Sequence, residues 1–135
     1  YANMQLRPGA KAWPTDVCVP ISRLAQCIAE TRVDIERSGL LAPIVGHVGD
    51  GNFHVDMVLD PDDAGEVARA TALNKRLVSR ALSMDGTCTG EHGVGLGKID
   101  SLEEEHGDIA LDVMRCLKQA IDPKHIMNPG KIVQF

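Results

Sequence analysis

Short β-branched runs fenced by prolines and glycines alternate with two amphipathic stretches at helical spacing. Their order, β-α-β-β-α-β, predicts an α+β fold: a ferredoxin-like sandwich with an extra C-terminal helix and tail. The chain has 135 residues, 44% hydrophobic and 24% charged, which suits one domain with a packed core. Aromatics are 3%, so that core is aliphatic.

Each element follows from a local signal. Residues 1–14 read as irregular: Arg7-Pro8-Gly9 is a turn, and Trp13-Pro14 enforces an extended approach. Thr15 to Ile21 is β-branched and reads as the first strand, with Pro20 at its end. Ser22 suits a helix N-cap. Ile21, Leu24, Ala25, Ile28 and Ile35 recur at helical spacing, and Ser38-Gly39 supplies the stop. Pro43 to Val48 is the second strand, Asp50-Gly51 a hairpin turn, and Phe53 to Leu59 the third strand. Phe53, Val55, Met57 and Leu59 share one face, with His54 and Asp56 on the other.

Asp63 and Glu66 have capping-box spacing and open a second helix. Val67, Ala70, Leu77, Val78 and Ala81 form its buried stripe, to about Met84. Asp85-Gly86 turns the chain into Thr87-Cys88-Thr89, a fourth strand, followed by a glycine-dense loop. Ser101 and Glu104 cap a last helix whose apolar face is Ile109, Val113, Met114, Leu117 and Ile121. Asp122-Pro123 stops it, and a turn and short extended tail follow.

The net charge is −5, the wrong sign for a phosphate backbone, and few aromatics remain to stack bases. A nucleic-acid partner is therefore not expected. No run of 18 apolar residues occurs. The start at Tyr1-Ala2-Asn3-Met4 has the form of neither a signal peptide nor an initiator, and the chain reads as a piece of something longer. Cys18, Cys27, Cys88 and Cys116 are dispersed, with no CxxC pair, and read as small buried hydrophobes in a reducing compartment.

The chemistry-bearing residues fall into two strings. In Gly46-His47-Val48-Gly49-Asp50-Gly51-Asn52-Phe53-His54, two histidines flank a tight hairpin and can converge on one ion. In Gly90-Glu91-His92-Gly93, a carboxylate and a third histidine follow the last strand. If that strand joins the same sheet, His47, His54 and Glu91 make a two-histidine, one-carboxylate set for zinc, manganese or iron, leaving His92 as a base. Asp56 is either a neighbour of such a site or a solvated strand residue. His106 and His125 read as surface or capping residues. The glycine-rich run before Lys98 fails as a phosphate loop: His92 stands where the loop needs a glycine, and Ile99 where it needs Ser or Thr.

These strings, GHVGDGNFH, GTCTGEHGVGLGK and MRCLKQAIDPKHIMNPGKI, resemble the C-terminal part of the FAD-linked 2-hydroxy acid dehydrogenases. With TDVCVPISRL the likeness is greatest to the cytochrome-linked D-lactate dehydrogenases; glycolate oxidase subunits and D-2-hydroxyglutarate dehydrogenases are close. The resemblance implies a cap domain over a flavin held by a separate FAD-binding domain, with residues 101–135 as a segment returning to that domain. It implies metal ligands (zinc or manganese) at His47, His54 and Glu91, the catalytic base at His92, a contact to substrate or to a metal ligand at Asn52, and a flavin-side tail at Asn128 and Lys131. In the 2-hydroxyglutarate branch a lysine precedes the first strand and an asparagine follows the second metal histidine by two. Pro14 and Asp56 stand there here, which favours a small monocarboxylate such as D-lactate.

The implied partners are the 2-hydroxy acid, the FAD-binding domain of the same chain, and an electron acceptor such as a cytochrome, a quinone or an electron-transfer flavoprotein; the resemblance leaves room for a homodimer. The implied location is the cytoplasm or the periphery of the inner membrane, mitochondrial in a eukaryote. The piece alone is expected to be inactive, for want of the redox centre. The rival reading is a ferredoxin-like module that binds a small ligand or metal without catalysis.

Overall fold

Among the described residues, four strands, Lys11–Pro14 (β1), Val17–Cys18 (β2), Ile44–His47 (β3) and Asn52–Leu59 (β4), and three long helices, Ile21–Ser38 (α1), Ala64–Leu82 (α2) and Ile99–Ile121 (α3), make up the predicted α+β fold. The structure, a computed structural model, describes residues 5–135; Tyr1–Met4, part of the stretch read as irregular, lie outside the described residues. The chain divides into two units, Tyr1–Glu91 and His92–Phe135.

In the first unit β4 is the central strand and every partner is antiparallel to it. Both β2 and β3 pair with Asn52 and Phe53, so they flank β4 on opposite edges. β1 continues the β2 edge, opposite Asp56 to Leu59. The first strand thus begins earlier than the sequence suggests, because an eight-residue central strand offers its C-terminal half for pairing too. The expected strand at Thr87-Cys88-Thr89 shrinks to one bridge: Cys18 and Thr87 exchange backbone hydrogen bonds at 3.3 and 2.8 Å. This bridge, β1/β2, β4 and β3 follow one another in the ferredoxin-like order.

Phe53, Val55, Met57 and Leu59 meet Leu24 and Cys27 of α1 and Leu73, Leu77 and Ala81 of α2 in one aliphatic core. Arg80 of α2 ties the two helices across it, donating to Thr31 at 3.1 Å and to Asp34 at 2.5 Å. Burial works against the Asp34 carboxylate, but the Arg80 and Arg76 hydrogen bonds outweigh it and hold its pKa below the ordinary value.

The helix starts differ in detail from the sequence reading. α1 begins after Pro20 with no side-chain cap, and Ser22 lies inside it. A proline's fixed φ is compatible with a helix start, and the Pro20 carbonyl already accepts from Arg23. Asp63 does cap α2, accepting from the Gly65 and Glu66 amides. Glu66 does not return to Asp63; it accepts from the Asp60 amide and from Arg7. α1 ends at Gly39, whose φ of 67° is left-handed.

In the second unit α3 starts at Ile99, before the expected Ser101 cap, and is broken at Gly107 (φ 74°, ψ 167°). Leu102 and Leu111, on either side of the break, pack with Val133. The break lets two short helical pieces share one small core. The expected apolar face is largely uncovered in the chain: Ile109, Val113, Leu117 and Ile121 are 83, 55, 58 and 72% exposed. Cys27 and Cys88 are buried as expected and Cys18 is half-buried, but Cys116 on α3 is exposed. No helix among the described residues is long and apolar enough to cross a membrane.

Candidate metal centre

His47 closes β3 opposite Asn52, and His54 stands two residues further along β4. That places the two imidazoles diagonally on the same sheet face. The turn that makes this approach is a short 3-10 segment, Val48–Asp50, closed by Gly51 at φ 76°, a left-handed value that glycine adopts without steric cost. The imidazole centroids lie 6.0 Å apart, edge to face.

His54 is oriented by a local departure from the β ladder. The Val55 amide donates to the Thr15 hydroxyl at 2.9 Å rather than to the Thr15 carbonyl. The carbonyl is thereby released to receive His54 Nδ1 at 2.9 Å. A carbonyl can only accept, so Nδ1 carries the proton and Nε2 of the neutral ring is left as a lone pair. His54 is 7% exposed, so the ring is held by packing as well.

Nε2 of His54 faces Glu91 Oε1 at 3.0 Å, and Nε2 of His47 faces the same oxygen at 3.4 Å. Ligand atoms of all three residues lie within 4.8 Å of one another. Two atoms that each bind one ion at about 2.0–2.2 Å sit about 2.8–3.6 Å apart when they subtend about 90–109°. Both observed separations fall in that range. With the neutral ring the contact sets the His54 lone pair against a carboxylate oxygen, an arrangement that a cation or an added proton between them makes favourable. Two imidazoles and an anionic oxygen are the donor set a borderline divalent cation takes. The three residues therefore fit a metal.

Around this set lies a buried cluster that sequence reasoning missed. The Asp16 carboxylate, 1% exposed, sits between β1 and β2. It accepts from Asn52 Nδ2 at 2.8 Å, from the Thr89 hydroxyl at 3.1 Å, and from the Glu91 amide at 3.2 and 3.1 Å, one distance to each oxygen. It also lies 3.7 Å from His54 Nδ1. The available signal was a carboxylate embedded in the apolar run Thr15-Asp16-Val17-Cys18-Val19. Asn52 also donates to the Val17 carbonyl at 3.0 Å, while its buried Oδ1 finds no acceptor role among the described residues. Asp56 is half-buried opposite Pro14.

The structure thus brings His47, His54, Glu91 and Asn52 together in the first unit. His92 is exposed and opens the second unit. Asn128 and Lys131 share an exposed turn there, the Asn128 carbonyl accepting from the Lys131 amide at 3.3 Å. A cavity of about 520 Å³ between α1 and β3 is lined by Leu24, Ile28, Ile44 and Phe53, with Asn52 at its wall; neither histidine nor Glu91 lines it.

An α+β unit whose hairpin histidines meet a carboxylate from the end of the sheet has a donor set that fits a metal, and comparison with known proteins gives its family. Residues 1–132 match the family described as FAD linked oxidases, C-terminal domain. The chain is 58% identical over its full length to a probable mitochondrial D-lactate dehydrogenase of Danio rerio, covering 27% of that protein. It is 47% identical over 133 residues, 98% of the chain, to the mitochondrial D-lactate dehydrogenase [cytochrome] of Arabidopsis thaliana, covering 24% of it. It is 52% identical over 123 residues, 91% of the chain, to the mitochondrial D-lactate dehydrogenase [cytochrome] 1 of Saccharomyces cerevisiae, covering 21%. The chain belongs to the FAD-linked oxidase family, as its C-terminal domain, and spans about a quarter of the length of these curated relatives.

Proposed function

We propose that this chain is the substrate- and metal-binding part of an FAD-dependent dehydrogenase that oxidises a D-2-hydroxy acid, D-lactate or a close analogue, to the 2-oxo acid. The observation that carries the reading is the single Glu91 oxygen faced by the Nε2 atoms of His47 and His54, in a family whose similar members are D-lactate dehydrogenases.

His47, His54 and Glu91 would hold a zinc or manganese ion, which when bound supplies Lewis-acid polarisation of the substrate hydroxyl and carboxylate. FAD, which the remainder of the protein would hold, would supply the redox chemistry as acceptor of the C2 hydride. The chain's own residues orient the acid and remove a proton. His92, directly after Glu91 in sequence, takes the hydroxyl proton at a ring nitrogen. Asn52 supports substrate recognition, since its buried Oδ1 needs a donor and a hydroxyl is one. The exposed stripe Ile109, Val113, Leu117 and Ile121 packs against the FAD-binding domain, bringing Asn128 and Lys131 toward the flavin. The part alone is inactive. The mitochondrial relatives support a mitochondrial location in a eukaryote, with a cytochrome or other carrier as electron acceptor.

The test uses the full-length protein. D-Lactate should bleach its yellow flavin. His92→Ala should lower turnover at least about 100-fold with flavin and metal retained; a rate near that of the unsubstituted enzyme rejects His92 as the base. His47→Ala should abolish stoichiometric metal by elemental analysis. Metal binding without hydroxy-acid turnover would instead favour the non-catalytic module.

A further inference from the structure

We propose that Asp16 is a positioning residue for the metal centre: its buried carboxylate grips the Glu91 backbone amide and the Asn52 side chain, and so sets the Glu91 carboxylate where both imidazoles meet it. The inference rests on the metal reading of His47, His54 and Glu91. Glu91 follows the single bridge Cys18–Thr87, so no regular strand holds it in place. What holds it is the Asp16 carboxylate, reached by the Glu91 amide at 3.2 and 3.1 Å. The same carboxylate takes Asn52 Nδ2 on Oδ1 and the Thr89 hydroxyl on Oδ2. It therefore ties the hairpin that bears the histidines to the segment that bears Glu91.

The chemistry specifies a carboxylate rather than an amide. The Glu91 amide is shared between both oxygens, and Asn52 Nδ2 is a donor too. An asparagine at position 16 keeps the shape but must aim an N–H at one of these donors. Groups outside the direct ligands commonly change metal affinity about 10–100-fold when removed.

The test is Co²⁺ binding to metal-free full-length protein, followed by the visible ligand-field bands. Asp16→Asn should weaken Co²⁺ binding about 10–100-fold, with a circular dichroism spectrum unchanged from the parent. Glu91→Gln should weaken it as well. Because Asp16 acts through Glu91, the double variant should bind no more than about 2-fold more weakly than Glu91→Gln alone. Losses that multiply would overturn the inference, as would an Asp16→Asn protein that binds Co²⁺ like the parent. Failure of the parent itself to bind Co²⁺ would sink the metal reading, and the inference with it. Should Asp16→Asn not fold, hydrogen exchange of the Glu91 amide in the unsubstituted protein decides: strong protection supports the grip, and free exchange refutes it.

Discussion

Replacing Gly90 by alanine tests whether the cluster around Asp16 is as tight as the geometry says. An added Cβ would stand 1.9 Å from Asn52 Nδ2 and 2.9 Å from Asp16 Oδ1. Ordinary contact for such atoms is about 3.5 Å, so the Asn52 amide must move by more than 1 Å. Moving it breaks two hydrogen bonds, to Asp16 at 2.8 Å and to the Val17 carbonyl at 3.0 Å. The first, to a charged group, is worth about 1.5–3 kcal/mol and the second about 0.5–1.5 kcal/mol. Overpacking strain adds about 1–3 kcal/mol. The stiffer unfolded chain returns only about 0.4–1 kcal/mol. A net loss of at least about 2 kcal/mol follows.

Urea unfolding of the Gly90→Ala chain, beside a Gly49→Ala control, measures it. A Cβ at Gly49 meets nothing within 4 Å, so that variant should be neutral or gain up to about 1 kcal/mol. If Gly90→Ala loses less than about 0.5 kcal/mol, the Asn52–Asp16 contact is not made as described, and the argument for a pre-shaped metal centre fails with it.

Two further outcomes probe the rest of the fold. Leu73 of α2, 1% exposed in the aliphatic core, should cost about 2–5 kcal/mol on replacement by alanine, read by the shift in the urea midpoint; an unshifted midpoint would contradict its place in the core. At the end of α3, Asp122 bonds Lys118 at 2.5 Å and accepts from the Met127 and Ile126 amides. The Lys118 bond first, with the two amides adding and burial opposing, lowers its pKa from 3.8 to about 2. Because the folded value lies below the unfolded one, the stabilisation is complete above about pH 4 and is lost as pH falls through about 2. The Ile126 and Met127 amide resonances should move in that window in nuclear magnetic resonance spectra; a midpoint near 4 would refute the lock.

How much could be read from the chain depended on how local the cause was. The alternation from Phe53 to Leu59, the hairpin at Asp50-Gly51, the Asp63 cap and the stop at Ser38-Gly39 each depend on neighbours within one turn, and all four stand in the structure. Elements that needed a distant partner shifted. The strand at Thr87–Thr89 met only Cys18, and Lys11–Pro14 became a strand because β4 was there to receive it. The break at Gly107 was invisible because its flanks keep helical spacing, and only the packing of Leu102 and Leu111 on Val133 calls for it.

The same division runs through the site. Residue types and the hairpin spacing were enough to pair His47 with His54, because facing arms of one hairpin are a local matter; Glu91 joined them only on the condition that the last strand enters the same sheet, and by resemblance. That Glu91 meets both rings through one oxygen, that the Thr15 carbonyl chooses the His54 tautomer, and that Asp16 anchors the assembly were decided by tertiary structure alone. Asp16 and Glu91 are 75 positions apart, and no periodicity in a sequence encodes a contact at that range. Only the closing of the sheet, driven by burial of its aliphatic face, brings a carboxylate from each end of the first unit to His54: Asp16 beside Nδ1 and Glu91 at Nε2.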